Sequence, residues 1–224
     1  MINNFETQST FKKMNQQEQL DTLNDIRNIM NRSSKFISLS GLSGIFAGLT
    51  ALVGAYFAYE ALKTYKASGY GYGVDADLSI EFKLLKIAVL VLFTALAGGA
   101  FFTYRQSRKK NLPIWDSTAK NLIVNLAIPL ISGGMFVIAL LLNHNNAIGL
   151  IAPSTLIFYG LALINASKYT YSDIRFLGIC EIILGLIAMF NVGLGLYFWA
   201  IGFGVLHIFY GCIMYFKYEK GRGN

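Results

Sequence analysis

Long apolar runs separated by shorter polar segments dominate the chain between positions 36 and 216. A helix that crosses a hydrocarbon core of about 30 Å needs about 20 apolar residues, and six runs approach or exceed this length. They predict transmembrane helices over the ranges 36–59, 84–104, 119–142, 147–167, 174–191 and 194–216. The predicted fold is therefore all-α, a polytopic membrane protein built as a bundle of six transmembrane helices.

The residues before the first span have a different pattern. Apolar side chains recur at three- and four-residue steps among polar ones, at Leu20, Leu23, Ile26, Ile29 and Met30. This spacing places them on one face of a helix. We expect residues 1–35 to form a leader with an amphipathic helix, which either lies on the lipid surface or docks on a protein partner.

Composition and charge agree with a lipid environment and orient the chain. The sequence is 54% hydrophobic and 14% charged, whereas soluble domains carry about 25% charged residues. Fifteen of the 19 lysines and arginines fall on one side of the predicted spans, and the other side holds Lys63, Lys66, Lys83 and Lys86. Because cytoplasmic segments are enriched in these residues, the leader 1–35 and the tail 217–224 are both predicted to be cytoplasmic.

Few residues indicate a specific chemistry. Cys180 and Cys212 lie inside predicted spans without a CxxC spacing, which is typical of small buried apolar residues. A single histidine within the spans offers neither a zinc ligand set nor a pair of haem ligands, so no metal or cofactor is predicted. The basic run at 105–110 is explained by contact with lipid headgroups, and no nucleic-acid binding is predicted.

Two ionisable side chains lie well inside predicted spans, Glu181 in the fifth and His207 in the sixth. Such residues are costly in hydrocarbon and usually face the bundle interior. The connection near positions 192–193 is short, so the two spans should form an antiparallel hairpin in which Glu181 and His207 lie level. We expect them to touch, either as a polar pair that fixes helix register or as a site for a proton, ion or substrate.

Glycines at helical spacing accompany this pair and predict close helix packing. They are Gly41, Gly44 and Gly48 in the first span, Gly178 and Gly185 in the fifth, and Gly204 and Gly211 in the sixth. The glycines of the fifth and sixth spans lie level in the hairpin, so we expect them to bring these two spans together. The glycines of the first span are expected to pack against the fifth or sixth span, with a homo-oligomer interface as the alternative.

Two segments resemble a known group of proteins. Residues 36–48, FISLSGLSGIFAG, and residues 202–211, GFGVLHIFYG, are similar to uncharacterised bacterial six-span inner-membrane proteins. The resemblance covers the two ends of the predicted bundle and implies location in the bacterial cytoplasmic membrane. It implies no activity.

The leading functional interpretation is a non-enzymatic scaffold, sensor or accessory subunit that acts through partners. It depends on the sparse polarity within the spans, the basic cytoplasmic side and the amphipathic leader. The alternative is a small transporter or channel that uses Glu181 and His207 for proton or ion coupling. An intramembrane enzyme has least support, because catalysis requires a constellation of nucleophile, acid or base and charge stabiliser.

Overall fold

A computed structural model describes residues 18–23, 35–67, 78–142 and 147–220, and the regular secondary structure in these ranges is entirely helical. Residues 18–23 form a helical turn, and the remainder of the predicted leader lies outside the described residues. Six longer helices follow: α1, Gly41–Ala67; α2, Leu78–Lys110; α3, Ser117–Leu142; α4, Ile151–Ala166; α5, Asp173–Met189; and α6, Gly195–Tyr218. The 3₁₀ turns Ala147–Leu150 and Ser167–Tyr169 flank α4.

Four of these helices, α1, α2, α3 and α6, are long and apolar enough to cross a membrane. The helices α4 and α5 have 16 and 17 residues, which is at or just below the lower limit of about 17 residues for a span. The all-helical fold is therefore confirmed for the described residues, together with several helices that are long and apolar enough to cross a membrane. Among these residues four helices meet that length and composition, and six spans are not confirmed.

The outward surfaces of α2 and α3 are apolar and exposed. No residue in the most apolar stretch of α2 is buried, and only 6% of the corresponding stretch of α3 is buried. Phe93 on α2 and Met135 on α3 are each about two-thirds exposed. Soluble monomers avoid contiguous apolar surfaces of this extent, so these helices are suited to contact with lipid.

Glycines determine which helices approach most closely. The prediction that Gly178 and Gly185 bring the fifth and sixth spans together is wrong. Gly178 of α5 packs against Gly160 of α4, where a Cβ added to Gly160 would lie 2.5 Å from the Gly178 carbonyl oxygen. Gly185 also packs against α4, since its Cβ would lie 3.0 Å from the Pro153 carbonyl oxygen. Gly178 and Gly185 therefore do not join α5 to α6. The glycines of the fifth and sixth spans were expected to pair because they lie at equal depth, but equal depth does not decide which helix a glycine packs against. Close packing requires a small residue on the partner helix, and α4 supplies it as Gly160.

The glycines of the first predicted span pack against α6, which is one of the two expected partners. Gly41 and Gly44 lie against Gly211, and a Cβ on Gly44 would be 3.2 Å from the Gly211 Cα. A Cβ on Gly48 would lie 2.6 Å from the Gly204 carbonyl oxygen. These five glycines form one antiparallel interface between α1 and α6.

The first predicted span begins five residues before the helix does. Residues 36–40 are non-helical and bind to the connection between α4 and α5. The amide of Phe36 donates to the Tyr169 carbonyl oxygen at 2.7 Å, and the Thr170 hydroxyl donates to the Phe36 carbonyl oxygen at 2.8 Å. These tertiary hydrogen bonds replace helical ones, so α1 begins at Gly41.

The connection between α5 and α6 is as short as predicted. It contains Gly193 with φ 103°, in the left-handed region that favours glycine. The turn reverses the chain within a few residues and makes α5 and α6 antiparallel. Residues at equal distance from this turn, including Glu181 and His207, consequently lie at similar depth.

Candidate functional site

Polar side chains from three helices meet in the interior of the bundle. These are Tyr159 from α4, Glu181 from α5 and His207 from α6; together with the Gly202 carbonyl group we call them the central cluster. Glu181 is fully buried and His207 is 7% exposed. Glu181 Oε1 lies 3.5 Å from His207 Nδ1, so the structure brings together the two residues that were expected to touch.

The hydrogen bonds of His207 fix its neutral tautomer. Nδ1 lies 3.0 Å from the Gly202 carbonyl oxygen, which can only accept, so Nδ1 carries the proton and donates. In the neutral ring Nε2 is then an acceptor, and it receives the hydrogen bond of the Tyr159 hydroxyl at 2.8 Å. The phenol, the imidazole and the carboxyl group therefore form a continuous row across three helices.

The Glu181 carboxyl group has no such partners. Among the described residues, neither of its oxygens accepts or donates a hydrogen bond, and the buried hydroxyl of Ser154 also has no partner. The 3.5 Å separation from His207 Nδ1 is too long for a strong hydrogen bond, and the proton on Nδ1 points to Gly202. A buried polar group without a partner costs about 1–3 kcal/mol, and a charged one costs more. Glu181 is thus an energetic liability in this bundle.

A π-helical segment and a glycine make room for this carboxyl group. Residues Ala200–Leu206 of α6 are π-helical and lead directly into His207. A Cβ on Gly202 would lie 2.5 Å from Glu181 Oε2 and 2.5 Å from Leu156 Cδ2, so a side chain at this position would displace Glu181. Short π-helical segments within α-helices occur frequently at functional sites.

Aromatic rings enclose the imidazole side of the central cluster. The Phe203 ring centroid lies 4.9 Å from that of Tyr159 and 5.9 Å from that of His207. The Trp199 ring centroid lies 5.0 Å from that of Phe203. These rings restrict the orientation of Tyr159 and His207 and keep the hydrogen bond between them in place.

A second polar group, which we call the end cluster, surrounds residues 36–40 at the end of the bundle where α1 begins and α2 and α6 end. It comprises this segment and the side chains of Lys110, Thr170, Tyr171, Asp173, Lys217, Tyr218 and Glu219. Lys110 and Tyr171 both donate to the Ile37 carbonyl oxygen, at 2.8 Å each. Glu219 Oε1 accepts from the Ser40 hydroxyl at 3.1 Å and from the Gly41 amide at 2.5 Å, so it caps the first turn of α1.

Asp173 connects the end of α6 to the start of α5 in the same cluster. The Tyr218 hydroxyl donates to Asp173 Oδ2 at 2.6 Å, and Lys217 Nζ lies 3.0 Å from both carboxylate oxygens. Burial raises the pKa of Asp173, but the hydrogen bonds from Tyr218 and Lys217 outweigh it and hold the pKa below its usual range. The Tyr218 ring also stacks on Tyr171 at 4.0 Å.

Tyr159 and Gly202 belong to the central cluster although neither was predicted as a site residue. A tyrosine within an apolar helix normally finds a partner for its hydroxyl when buried, and this signal was available at Tyr159. Gly202 is five residues before His207, a separation that an α-helix does not bring into register but a π-helical turn does. Neither the apolar runs nor the glycine spacing of the sequence predicts a π-helix.

Comparison with known proteins adds no assignment. No family model, curated protein or solved structure matches this chain. Within the described ranges, no group of three or more His, Cys, Asp or Glu residues is arranged to hold a metal ion. The interpretation of the two clusters therefore depends on their geometry.

Proposed function

We propose that this protein is a six-span protein of the bacterial cytoplasmic membrane with both termini in the cytoplasm. With its flanking 3₁₀ turns, α4 extends over 147–169, and α5 is about 26 Å long at a rise of about 1.5 Å per residue. Helices of this length are accommodated by small changes in bilayer thickness. The distribution of lysine and arginine supports the orientation, and the resemblance of residues 36–48 and 202–211 supports the bacterial location.

Labelling with a membrane-impermeant maleimide tests this topology. In a chain whose native cysteines are replaced by serine, Lys63→Cys should react in intact cells and Arg222→Cys only after permeabilisation. The opposite pattern would invert the orientation, and labelling of both positions in intact cells would exclude an even number of spans.

The proposed role is that of a non-enzymatic sensor, scaffold or accessory subunit that acts on a cytoplasmic partner through the leader. The end cluster is the observation that carries this proposal. Residues 36–40, which follow the leader directly, are bonded to Lys110 of α2, to Tyr171 before α5 and to Glu219 after α6. A bound leader is therefore mechanically linked to three parts of the bundle.

The helix α6 connects the two clusters. It carries His207 in the central cluster and Tyr218 in the end cluster, 11 residues or about 17 Å apart at about 1.5 Å per residue. A proton or ligand that rearranges the central cluster would shift α6 and, through Glu219 and Ser40, the start of α1. The leader would pass such a shift to a partner, because its apolar side chains are available for contact: Leu20 and Leu23 are 53% and 61% exposed.

Cross-linking in cells followed by purification tests the partner. A variant carrying Leu20→Ser and Leu23→Ser should lose the cross-linked protein, because its apolar face is removed. Gln19→Ser, on the same turn, is the matched control and should retain it. An identical set of cross-linked proteins from all three chains would exclude the leader as the interaction surface.

A second candidate function is proton-coupled transport, and the unpartnered carboxyl group of Glu181 favours it. Ionisable residues at such depth commonly form proton relays, and the row from Tyr159 through His207 to Glu181 provides adjacent proton sites. In proteoliposomes with an imposed membrane potential, a trapped pH dye should report proton entry with the wild-type chain. Glu181→Gln should abolish it, whereas Asp173→Asn at the end cluster should not; equal proton entry in all three would reject this candidate.

A further inference from the structure

An open groove lies between α1 and α2, and none of its lining residues belongs to either polar cluster. Its volume is about 880 Å³. Most of its wall is apolar, including Val53, Phe57, Ile87, Leu90 and Val91. Thr50 and Thr94 also line it, but their hydroxyls donate to carbonyl oxygens of their own helices at 2.9 and 2.8 Å. Their hydroxyl protons are therefore not available to a molecule bound in the groove.

Along α2, the groove has the depth of one membrane leaflet. It extends there from Lys83 to Thr94, a distance of about 17 Å at about 1.5 Å per residue. Along α1 its lining is longer and runs from Phe46 to Thr64, about 27 Å by the same measure. Half of a hydrocarbon core of about 30 Å is about 15 Å. An acyl chain lying along α2 would therefore fit the groove from the headgroup level to the middle of the bilayer.

Charged side chains lie at one end of the groove. Glu60, Lys83 and Lys86 line it there, and this end is the opposite one from the end cluster, because α1 begins and α2 ends at that cluster. Lys83 and Lys86 are three residues apart and share one face of α2. Among the residues that the structure describes, neither lysine forms an ion pair, so two ammonium groups and one carboxylate are available beside the apolar wall.

We propose that this groove binds one aminophospholipid molecule. Its phosphodiester lies between Lys83 and Lys86, its ammonium group donates to Glu60, and one acyl chain follows the wall formed by Leu90 and Val91. Phosphate is a strong acceptor for lysine, and charge-assisted hydrogen bonds are the stronger ones. The proposal requires only that the helices lie in a membrane, and it is independent of any partner of the leader or proton transfer at Glu181.

The N–H donors of the cation distinguish the ethanolamine headgroup from choline, which has the same charges. Phosphatidylethanolamine satisfies both lysines and Glu60, since it carries a phosphate and an ammonium with N–H donors. Phosphatidylcholine carries the same charges but its quaternary ammonium has no N–H, and phosphatidylglycerol has no cation. Selectivity for ethanolamine over choline therefore reports on Glu60, whereas binding of any phospholipid reports on the lysines.

Native mass spectrometry of the purified full chain, titrated with each lipid, tests the headgroup assignment. We expect one tightly bound phosphatidylethanolamine, with about tenfold weaker binding of phosphatidylcholine. The double substitution Lys83→Ala and Lys86→Ala should weaken phosphatidylethanolamine about tenfold or more. Glu60→Gln should remove the preference for ethanolamine over choline without lowering the affinity for phosphatidylglycerol, and Lys63→Ala, outside the groove, should change nothing.

A second pair of variants tests the chain-binding wall. Leu90 lines the groove and is 61% exposed, whereas Leu92 on the same helix is 55% exposed and lies outside it. Leu90→Trp should abolish the single bound lipid by filling the groove, and Leu92→Trp should leave it. Several equivalents bound without headgroup preference, or binding unchanged by both Leu90→Trp and the lysine substitutions, would overturn the proposal whatever the leader or Glu181 does.

Discussion

The end cluster and the central cluster are both polar groups within an apolar bundle, but they differ in hydrogen bonding. At the end cluster, Glu219 accepts bonds from Ser40 and Gly41, and Asp173 accepts bonds from Lys217 and Tyr218. In the central cluster, the fully buried Glu181 has no bonded partner among the described residues. Satisfied bonds contribute about 1 kcal/mol each, whereas an unsatisfied buried group costs about 1–3 kcal/mol.

This difference separates two reasons for having a polar residue in the bundle. Stability explains the end cluster, because each carboxylate there is held by donors from another segment of the chain. Stability does not explain Glu181, whose removal leaves no donor unpaired. The same substitution should therefore have opposite effects at the two sites, and the following changes test this in order of expected size.

Tyr171→Ala should have the largest effect. Tyr171 is 9% exposed, stacks on Tyr218 and donates to the Ile37 carbonyl oxygen, so truncation removes both packing and a hydrogen bond. Loss of a buried aromatic side chain costs about 3–5 kcal/mol, and we expect the Tm in detergent, followed by intrinsic fluorescence, to fall by about 10 °C. Tyr171→Phe keeps the stacking and should cost only a few degrees; equal losses would assign the whole effect to the hydroxyl group.

Glu219→Met should lower the stability by an intermediate amount. The substitution leaves the Gly41 amide and the Ser40 hydroxyl without their acceptor at the start of α1, and hydrogen bonds to a charged group contribute about 1.5–3 kcal/mol. The same thermal measurement should show a Tm lower by about 5 °C. Glu18→Met, at an exposed position, is the control and should not change the Tm. An unchanged Tm in Glu219→Met would mean that water replaces this cap at no cost.

Glu181→Met should raise the Tm. Methionine has a similar shape and needs no hydrogen bond, and His207 keeps its bonds to Gly202 and Tyr159. Replacing an unpaired buried polar group by an apolar one is neutral or stabilising, so we expect a gain of about 1 kcal/mol, or about 3 °C. A fall comparable to that of Glu219→Met would show instead that Glu181 and His207 form a stabilising ion pair.

The length of the apolar runs predicted the helices, because a run of apolar residues long enough for a bilayer has few other structures available. The short connection between the fifth and sixth spans predicted that Glu181 and His207 meet, since both lie at nearly equal distances along the chain from that connection. Both inferences depend on local chain geometry. For the same reason α4 and α5 were predicted as spans, although the helices themselves have 16 and 17 residues.

The choice of partners could not be predicted in the same way. Gly178 fits any helix with a small residue at the right depth, and Gly160 of α4 was not considered as its partner. The π-helical turn at 200–206 and the non-helical segment 36–40 depend on contacts between distant parts of the chain. Tyr159 enters the central cluster because its hydroxyl reaches from α4 to His207 Nε2 on α6, a tertiary contact that local chain geometry does not encode.

The smallest expected effect is the pH dependence contributed by Asp173, and it tests whether the end cluster is in contact with water. Its pKa is held below the usual range in the folded state, so its ionised form stabilises the fold. This contribution is fully present above the ordinary pKa of aspartate and is lost as the pH falls through the lowered value. Lys217 is 53% exposed, and screening limits the gain, so wild type and Asp173→Asn should differ by only a degree or two in Tm.

Between pH 7 and pH 5 this difference should stay constant, and towards pH 3 it should shrink, whereas the exposed control Asp21→Asn should follow the wild type throughout. High salt should reduce the difference, because the pair with Lys217 is screened. A difference that persists unchanged at pH 3 would show that Asp173 acts through its shape and not its charge. The contrast between the two clusters would then reduce to hydrogen bonding alone.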